Sequence, residues 1–120
     1  MRAHETETGM HERVFSSSHV ALICGGRSPI GLGIAREFAA RGAGGIAIAG
    51  RNEVQGRACA EELARSLPQA RVEFIATDIA DDASRRAMFD RVLERFGGLD
   101  SYVHCVPPGA VSGAAGCKGY

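Results

Sequence analysis

Four short apolar runs separated by stretches of helical periodicity constrain this chain more than any other feature. HVALIC (His19–Cys24), GGIAIAG (Gly44–Gly50), RVEFIAT (Arg71–Thr77) and LDSYVHCV (Leu99–Val106) have the length and texture of strands. HVALIC shows no polar alternation, which is expected of a strand buried on both faces. Between the first two runs, Ile30, Ile34 and Phe38, with Ala35 and Ala39, recur at helical spacing up to Gly42. A second helix is predicted over Val54–Leu67, with Val54, Ala58, Leu63 and Leu67 on its apolar side and Pro68 ending it. A third carries Ala83, Ala87, Met88, Val92 and Phe96, is capped by Asp81 or Asp82, and stops at Gly97-Gly98. The order is β-α-β-α-β-α-β. Strands that alternate with helices at this rhythm form a parallel sheet with right-handed crossovers and helices on both faces.

This places one domain at residues 19–106. Residues 1–18 are polar and aperiodic, and a disordered tail is expected there; PPGAVSGAAGCKGY (107–120) reads as an irregular tail. Fourteen basic residues balance fourteen acidic ones, so neither nucleic acid nor an anionic membrane is expected as a partner. MRAHETETGMHERVFSSS has no apolar core of a secretory signal, and no apolar run reaches membrane-spanning length, so a cytoplasmic location is the expectation. The four cysteines lack C-x-x-C spacing and read as reduced, partly buried thiols rather than as a zinc site or a disulfide framework.

Between the first strand and the first helix lies ICGGRSPIGLGIA (Ile23–Ala35). Gly25, Gly26, Gly31 and Gly33 stand where a phosphate-binding turn needs them. Glycines there let the backbone bend tightly and approach a pyrophosphate, while the helix N-terminus offers free N–H groups. The departure is Pro29, which has no N–H and holds φ near −65°. It suits a helix start instead, with Ser28 as N-cap and Pro29 at the first helical position. A tight strand-to-helix turn without a ligand is the alternative reading.

From residue 19 to about 106 the chain resembles the short-chain dehydrogenase/reductase family. That family's loop reads T-G-x-x-x-G-I-G, and CGGRSPIG (Cys24–Gly31) aligns with it without a gap, Pro29 standing in place of the second glycine. LGIAREFAARG looks like the family's first helix, and Asp78 falls where the family has an aspartate near the adenine ring. The resemblance implies a truncated, doubly wound (Rossmann-like) α/β sheet in strand order 3-2-1-4. It places a dinucleotide on Gly25, Arg27, Ser28, Ile30, Gly31, Arg51, Asn52, Asp78 and Ile79. After the second strand the sequence reads A-G-R-N, with no carboxylate until Glu53. Arg51 can pair with a 2′-phosphate through parallel N–H bonds, so NADP is expected over NAD. The missing acid also argues against a methyltransferase.

The family's catalytic tyrosine needs a lysine four residues later to bring its phenol towards neutrality. Tyr102 is followed four residues on by Val106, and Lys118, the single lysine, has Ala114 four residues before it. No catalytic residue is carried over, and no metal site is expected. Where the family has N-N-A-G, this chain has His104, Cys105, Val106 and Pro107. His104 and Cys105 do not form a nucleophile–base pair, because adjacent strand residues point to opposite faces. The pattern suits a truncated, frame-shifted or excised portion of a longer NADP-dependent reductase, whose small-molecule substrate would be a ketone or secondary alcohol. The alternatives are a non-catalytic nucleotide-binding or interaction module, self-associating through the exposed edge of the fourth strand, or a product without activity.

Overall fold

The computed structural model describes residues 14–25 and 28–105. The strands are β1 (Val20–Cys24), β2 (Gly45–Gly50), β3 (Arg71–Ala76) and β4 (Ser101–His104), and the helices between them are α1 (Pro29–Ala40), α2 (Glu53–Ser66) and α3 (Asp82–Phe96). The sheet runs β3-β2-β1-β4 with every pair parallel, which is the expected order. Ala21 lies opposite both Ile46 and Ser101, and Gly45 opposite Arg71. Ends match their predictions within one or two residues, except that β4 is confined to four residues.

The helix starts follow the expected chemistry. Ser28 caps α1 with Pro29 behind it, Asn52 caps α2 and Asp81 caps α3, each side chain accepting an N–H from the first turn. Gly97 ends α3 at φ 81°, a conformation that glycine adopts without the steric cost of a Cβ.

Two apolar layers sandwich the sheet. Ala21, Ile23, Ile46, Ile48 and Phe74 face α1 and α2, while Val20, Leu22, Cys24, Ala47, Ala49 and Ile75 face α3. Leu22, Ile23, Ile46, Ile48, Leu63, Met88 and Val92 are fully buried; each large apolar side chain so buried stabilises the fold by about 1.5–3 kcal/mol.

Ala35, Ala39, Leu63, Leu67, Met88 and Val92 face inward as expected, but other residues placed on the same faces do not. Val54 is 80% exposed and Ile30 71% exposed, and Ala58, Ala83 and Ala87 also face water. The residues pressed on the sheet are small: Gly31, Ala35 and Ala39 from α1, and Gly56 and Ala60 from α2. Close approach of helix to sheet explains the choice, since a Cβ on Gly56 would collide with the ring of Phe74. Large apolar groups such as Ile34 and Phe38 flank this contact instead.

The packed body also begins earlier than residue 19. The N–H groups of Val14 and Phe15 donate to the Arg41 carbonyl at 2.8 and 3.0 Å. The Phe15 ring stacks on Phe38 at 5.1 Å and on His19 at 4.3 Å. Residues 14–18 are therefore part of the fold, because an aromatic side chain there finds the open end of α1. Residues 1–13 and 106–120, including most of the two expected tails, lie outside the described residues.

Candidate functional site

All four strands end on one side because the sheet is wholly parallel. Three backbone bonds bring those ends together: Gly25 N–H to the Ala49 carbonyl (3.0 Å), Thr77 N–H to the Gly50 carbonyl (2.7 Å), and Cys105 N–H to the Cys24 carbonyl (2.9 Å). Along this rim the order is Asp78 after β3, Arg51 after β2, Gly25 after β1 and His104 closing β4. Chain order reverses between β1 and β4, and a crevice at such a point is where open α/β sheets take their ligands.

Gly25 leaves β1 at φ 82°, which a side chain would strain. Ser28 then closes the turn. Its Oγ donates to the Gly25 carbonyl at 2.8 Å and accepts the Gly31 N–H at 3.0 Å, and its own carbonyl accepts from Leu32 at 2.9 Å. Pro29 has no N–H to offer. Ile30 is left as the first-turn residue whose N–H has no partner among the described residues. An anion at this helix start thus meets one uncommitted donor and the positive end of α1. Gly26 and Arg27, the latter an expected contact, lie outside the described residues.

Arg51 is exposed and makes no hydrogen bond or ion pair among the described residues. The nearest acid in sequence, Glu53, is held by Arg57, whose Nη2 and Nε reach the same carboxylate oxygen at 2.7 and 3.0 Å. Asn52 spends its Oδ1 on the Gln55 N–H at 3.0 Å, so towards the rim it has its amide NH2 to offer. The geometry at the end of β2 is a guanidinium that no carboxylate of the described residues engages, which fits a phosphate monoester.

Asp78 is exposed, with Oδ1 accepting the Ala80 N–H at 3.1 Å and its own N–H bound to Ser84 Oγ at 2.8 Å. One carboxylate oxygen stays available to a donor such as an exocyclic amine. Ile79, the other expected contact after β3, turns its side chain into the core. It is 9% exposed and packs with Met88 and Val92, so it has only backbone to present. Arg85 fixes that backbone, donating to the Ile79 carbonyl at 2.6 Å while pairing with Asp82. Neither Arg57 nor Arg85 was expected at the site, although both E-x-x-x-R and D-x-x-R spacings stand in the sequence.

At the β4 end, Tyr102 and His104 share one face, the phenol oxygen 3.2 Å from His104 Nδ1. Cys105 packs with Val103 on the opposite layer, as alternation requires. Burial pushes the Cys24 thiol up, the nearby Tyr102 phenol offsetting part of the rise, while Cys24 Sγ donates to Met88 Sδ at 3.5 Å. Burial and the Cys24 contact push the Tyr102 phenol up as well, the reverse of what proton transfer at neutral pH needs. Among the described residues no cluster of metal-ligating side chains is present, and no helix is long and apolar enough to cross a membrane.

A doubly wound α/β sheet with a glycine turn at its switch point is the class these features define. A family model described as short chain dehydrogenase matches residues 19–113, and the chain belongs to that family. The match runs seven residues beyond the expected end at residue 106. Carbonyl reductase [NADPH] 1 of Bos taurus is 37% identical over 90 residues, covering 74% of this chain and 31% of that protein. The L-sorbose reductase of Gluconobacter frateurii, solved with NADPH and L-sorbose, superposes with TM-score 0.70 at 34% identity, covering 77% of this chain and 34% of that one. A short chain dehydrogenase of Burkholderia cenocepacia, solved with NADP, gives TM-score 0.62 at 36% identity, covering 72% and 34%. The chain spans about a third of the length of the curated relatives it matches.

Proposed function

We propose that this chain is the NADP(H)-binding portion of a short-chain oxidoreductase acting on a ketone or secondary alcohol. The observation that carries the cofactor assignment is the Arg51 guanidinium at the end of β2, unpaired among the described residues and beside a glutamate already neutralised by Arg57. The relatives support this reading: they include carbonyl reductases that use NADPH and structures solved with NADPH or NADP.

In this reading the Ile30 N–H receives the pyrophosphate, Gly25 lets the backbone approach it closely, Ser28 and Gly31 hold the helix start, and Arg27 is a further contact. Arg51 pairs with the 2′-phosphate, Asn52 donates to the same ribose, and Asp78 accepts from the adenine amine while the Ile79 backbone lines the ring. NADP, when bound, supplies or receives the hydride. The 120 residues contain no tyrosine four before a lysine, so the chain alone binds cofactor without turnover. Saturable enhancement of NADPH fluorescence by the chain, reversed by 2′,5′-ADP, is the result expected; a linear, non-competable signal would contradict it.

A second reading, an interaction module, draws on the two sheet edges. The β3 edge is guarded by Arg71 and Glu73, paired at 2.5 Å, whereas β4 presents Ser101-Tyr102-Val103-His104 without charge or proline. In that reading β4 pairs with a second copy. A dimer by sedimentation that forms equally with and without NADPH supports it, and a monomer at all concentrations removes it.

A further inference from the structure

Glu53 is the one carboxylate within two residues of Arg51 on either side, and it occupies the first turn of α2, immediately past the Asn52 cap. Left alone, it would do two things to a phosphate at this place. It would pair with the Arg51 guanidinium, and it would repel the ligand's negative charge. In the structure its carboxylate is engaged elsewhere: Arg57, one turn further along α2, holds Glu53 Oε2 with two N–H groups at 2.7 and 3.0 Å. Both side chains are more than half exposed, so the pair contributes little to stability, in line with i,i+4 pairs on helix surfaces. Solvent weakens its field, yet a charge within a Debye length of about 8–10 Å still acts on a nearby dianion.

We infer that Arg57 is a positioning residue for cofactor choice: by engaging Glu53 it keeps Arg51 free for a 2′-phosphate, without itself touching the ligand. The inference rests on the NADP reading of Arg51 given above. The charge arithmetic at the start of α2 makes its meaning plain. With the clamp, Arg51 presents +1 against a neutralised neighbour. Without it, the Arg51–Glu53 pair sums to zero, and Glu53 resembles the acid that accepts ribose hydroxyls in NAD-binding sites.

The test is calorimetric titration of the 120-residue chain with 2′,5′-ADP and with ADP, ligands that differ in the phosphate at issue. For Arg57→Gln we expect about a fivefold weaker 2′,5′-ADP affinity, ADP unchanged within about twofold, and the loss fading as salt is raised. Arg57→Lys keeps the wild-type ratio. The decisive variant is Arg57→Gln combined with Glu53→Gln, which removes the released carboxylate and returns 2′,5′-ADP affinity to within about twofold of wild type. A double variant as weak as Arg57→Gln would show that Arg57 touches the phosphate directly and overturn the positioning role. Equal loss of both ligands in Arg57→Gln would also overturn it, as a general effect on α2. Failure of the NADP reading looks different: the unaltered chain would then bind 2′,5′-ADP no better than ADP, and the clamp would fall with it.

Discussion

Ser28 ties the end of β1 to the start of α1 through Gly25, whose carbonyl accepts both the Ser28 hydroxyl at 2.8 Å and the Ser28 N–H at 3.0 Å. The same hydroxyl oxygen caps Gly31. One side chain thus fixes both the turn and the helix start that is proposed to meet the pyrophosphate. Ser28→Ala should cost about 1 kcal/mol in urea unfolding and weaken NADPH. Ser28→Asp keeps a capping oxygen but places a negative charge on the ligand's side, so stability should hold while NADPH affinity falls. If both variants keep wild-type affinity, the turn is not a phosphate site.

Gly56 is buried against the Phe74 ring, with no room for a methyl group. In an exposed helix Gly→Ala stabilises by about 1 kcal/mol. Here the sign should reverse, Gly56→Ala costing about 1–3 kcal/mol through overpacking. Adding Phe74→Leu should recover part of that loss. Chemical denaturation of the three variants checks it, and a stabilised Gly56→Ala would mean that α2 sits further from the sheet.

Pro29 removes one donor from the helix start. Pro29→Gly returns an N–H and should tighten NADPH and NADH alike, at some cost in helix stability. Unchanged affinity for both would make Pro29 a helix-starting residue and nothing more.

The Cys24 thiol is raised by burial above its ordinary value of 9.0, and Cys105 shifts the same way. The unfolded chain therefore loses these protons first, so stability is full below about pH 9 and declines as pH rises through the folded values. Tyr102 moves in the same direction but is 44% exposed, so its share is smaller. Urea midpoints under reducing conditions should fall as pH rises above about 9, and less steeply in Cys24→Ala. A flat profile would contradict the burial of Cys24.

The helix starts at Ser28-Pro29 and Asp81 were legible because local chemistry sets them, whereas the strand order came from the family resemblance and the Asn52 cap emerged only in the structure. The inward helix faces were less legible. Ala35, Ala39 and Leu63 fell on the expected side, but Ile30 and Val54 did not, because the small residues Gly31, Gly56 and Ala60 take the closest approach to the sheet. The four-residue spacing of Gly31, Ala35 and Ala39, and of Gly56 and Ala60, was the available signal. At the site, Gly25, Arg51 and Asp78 could be named from the motif. The Glu53–Arg57 clamp and the Arg85 bond to the Ile79 carbonyl could not, since each depends on which of several carboxylates or carbonyls an arginine reaches.

The central claim is that Arg51 reads a 2′-phosphate. Equilibrium titration of wild type and Arg51→Ala with both NADPH and NADH tests it most directly. The account predicts saturable NADPH binding that weakens roughly tenfold or more on substitution, with NADH changed by no more than about twofold. Equal losses for the two cofactors, or no saturable NADPH binding by the wild-type chain, would contradict it.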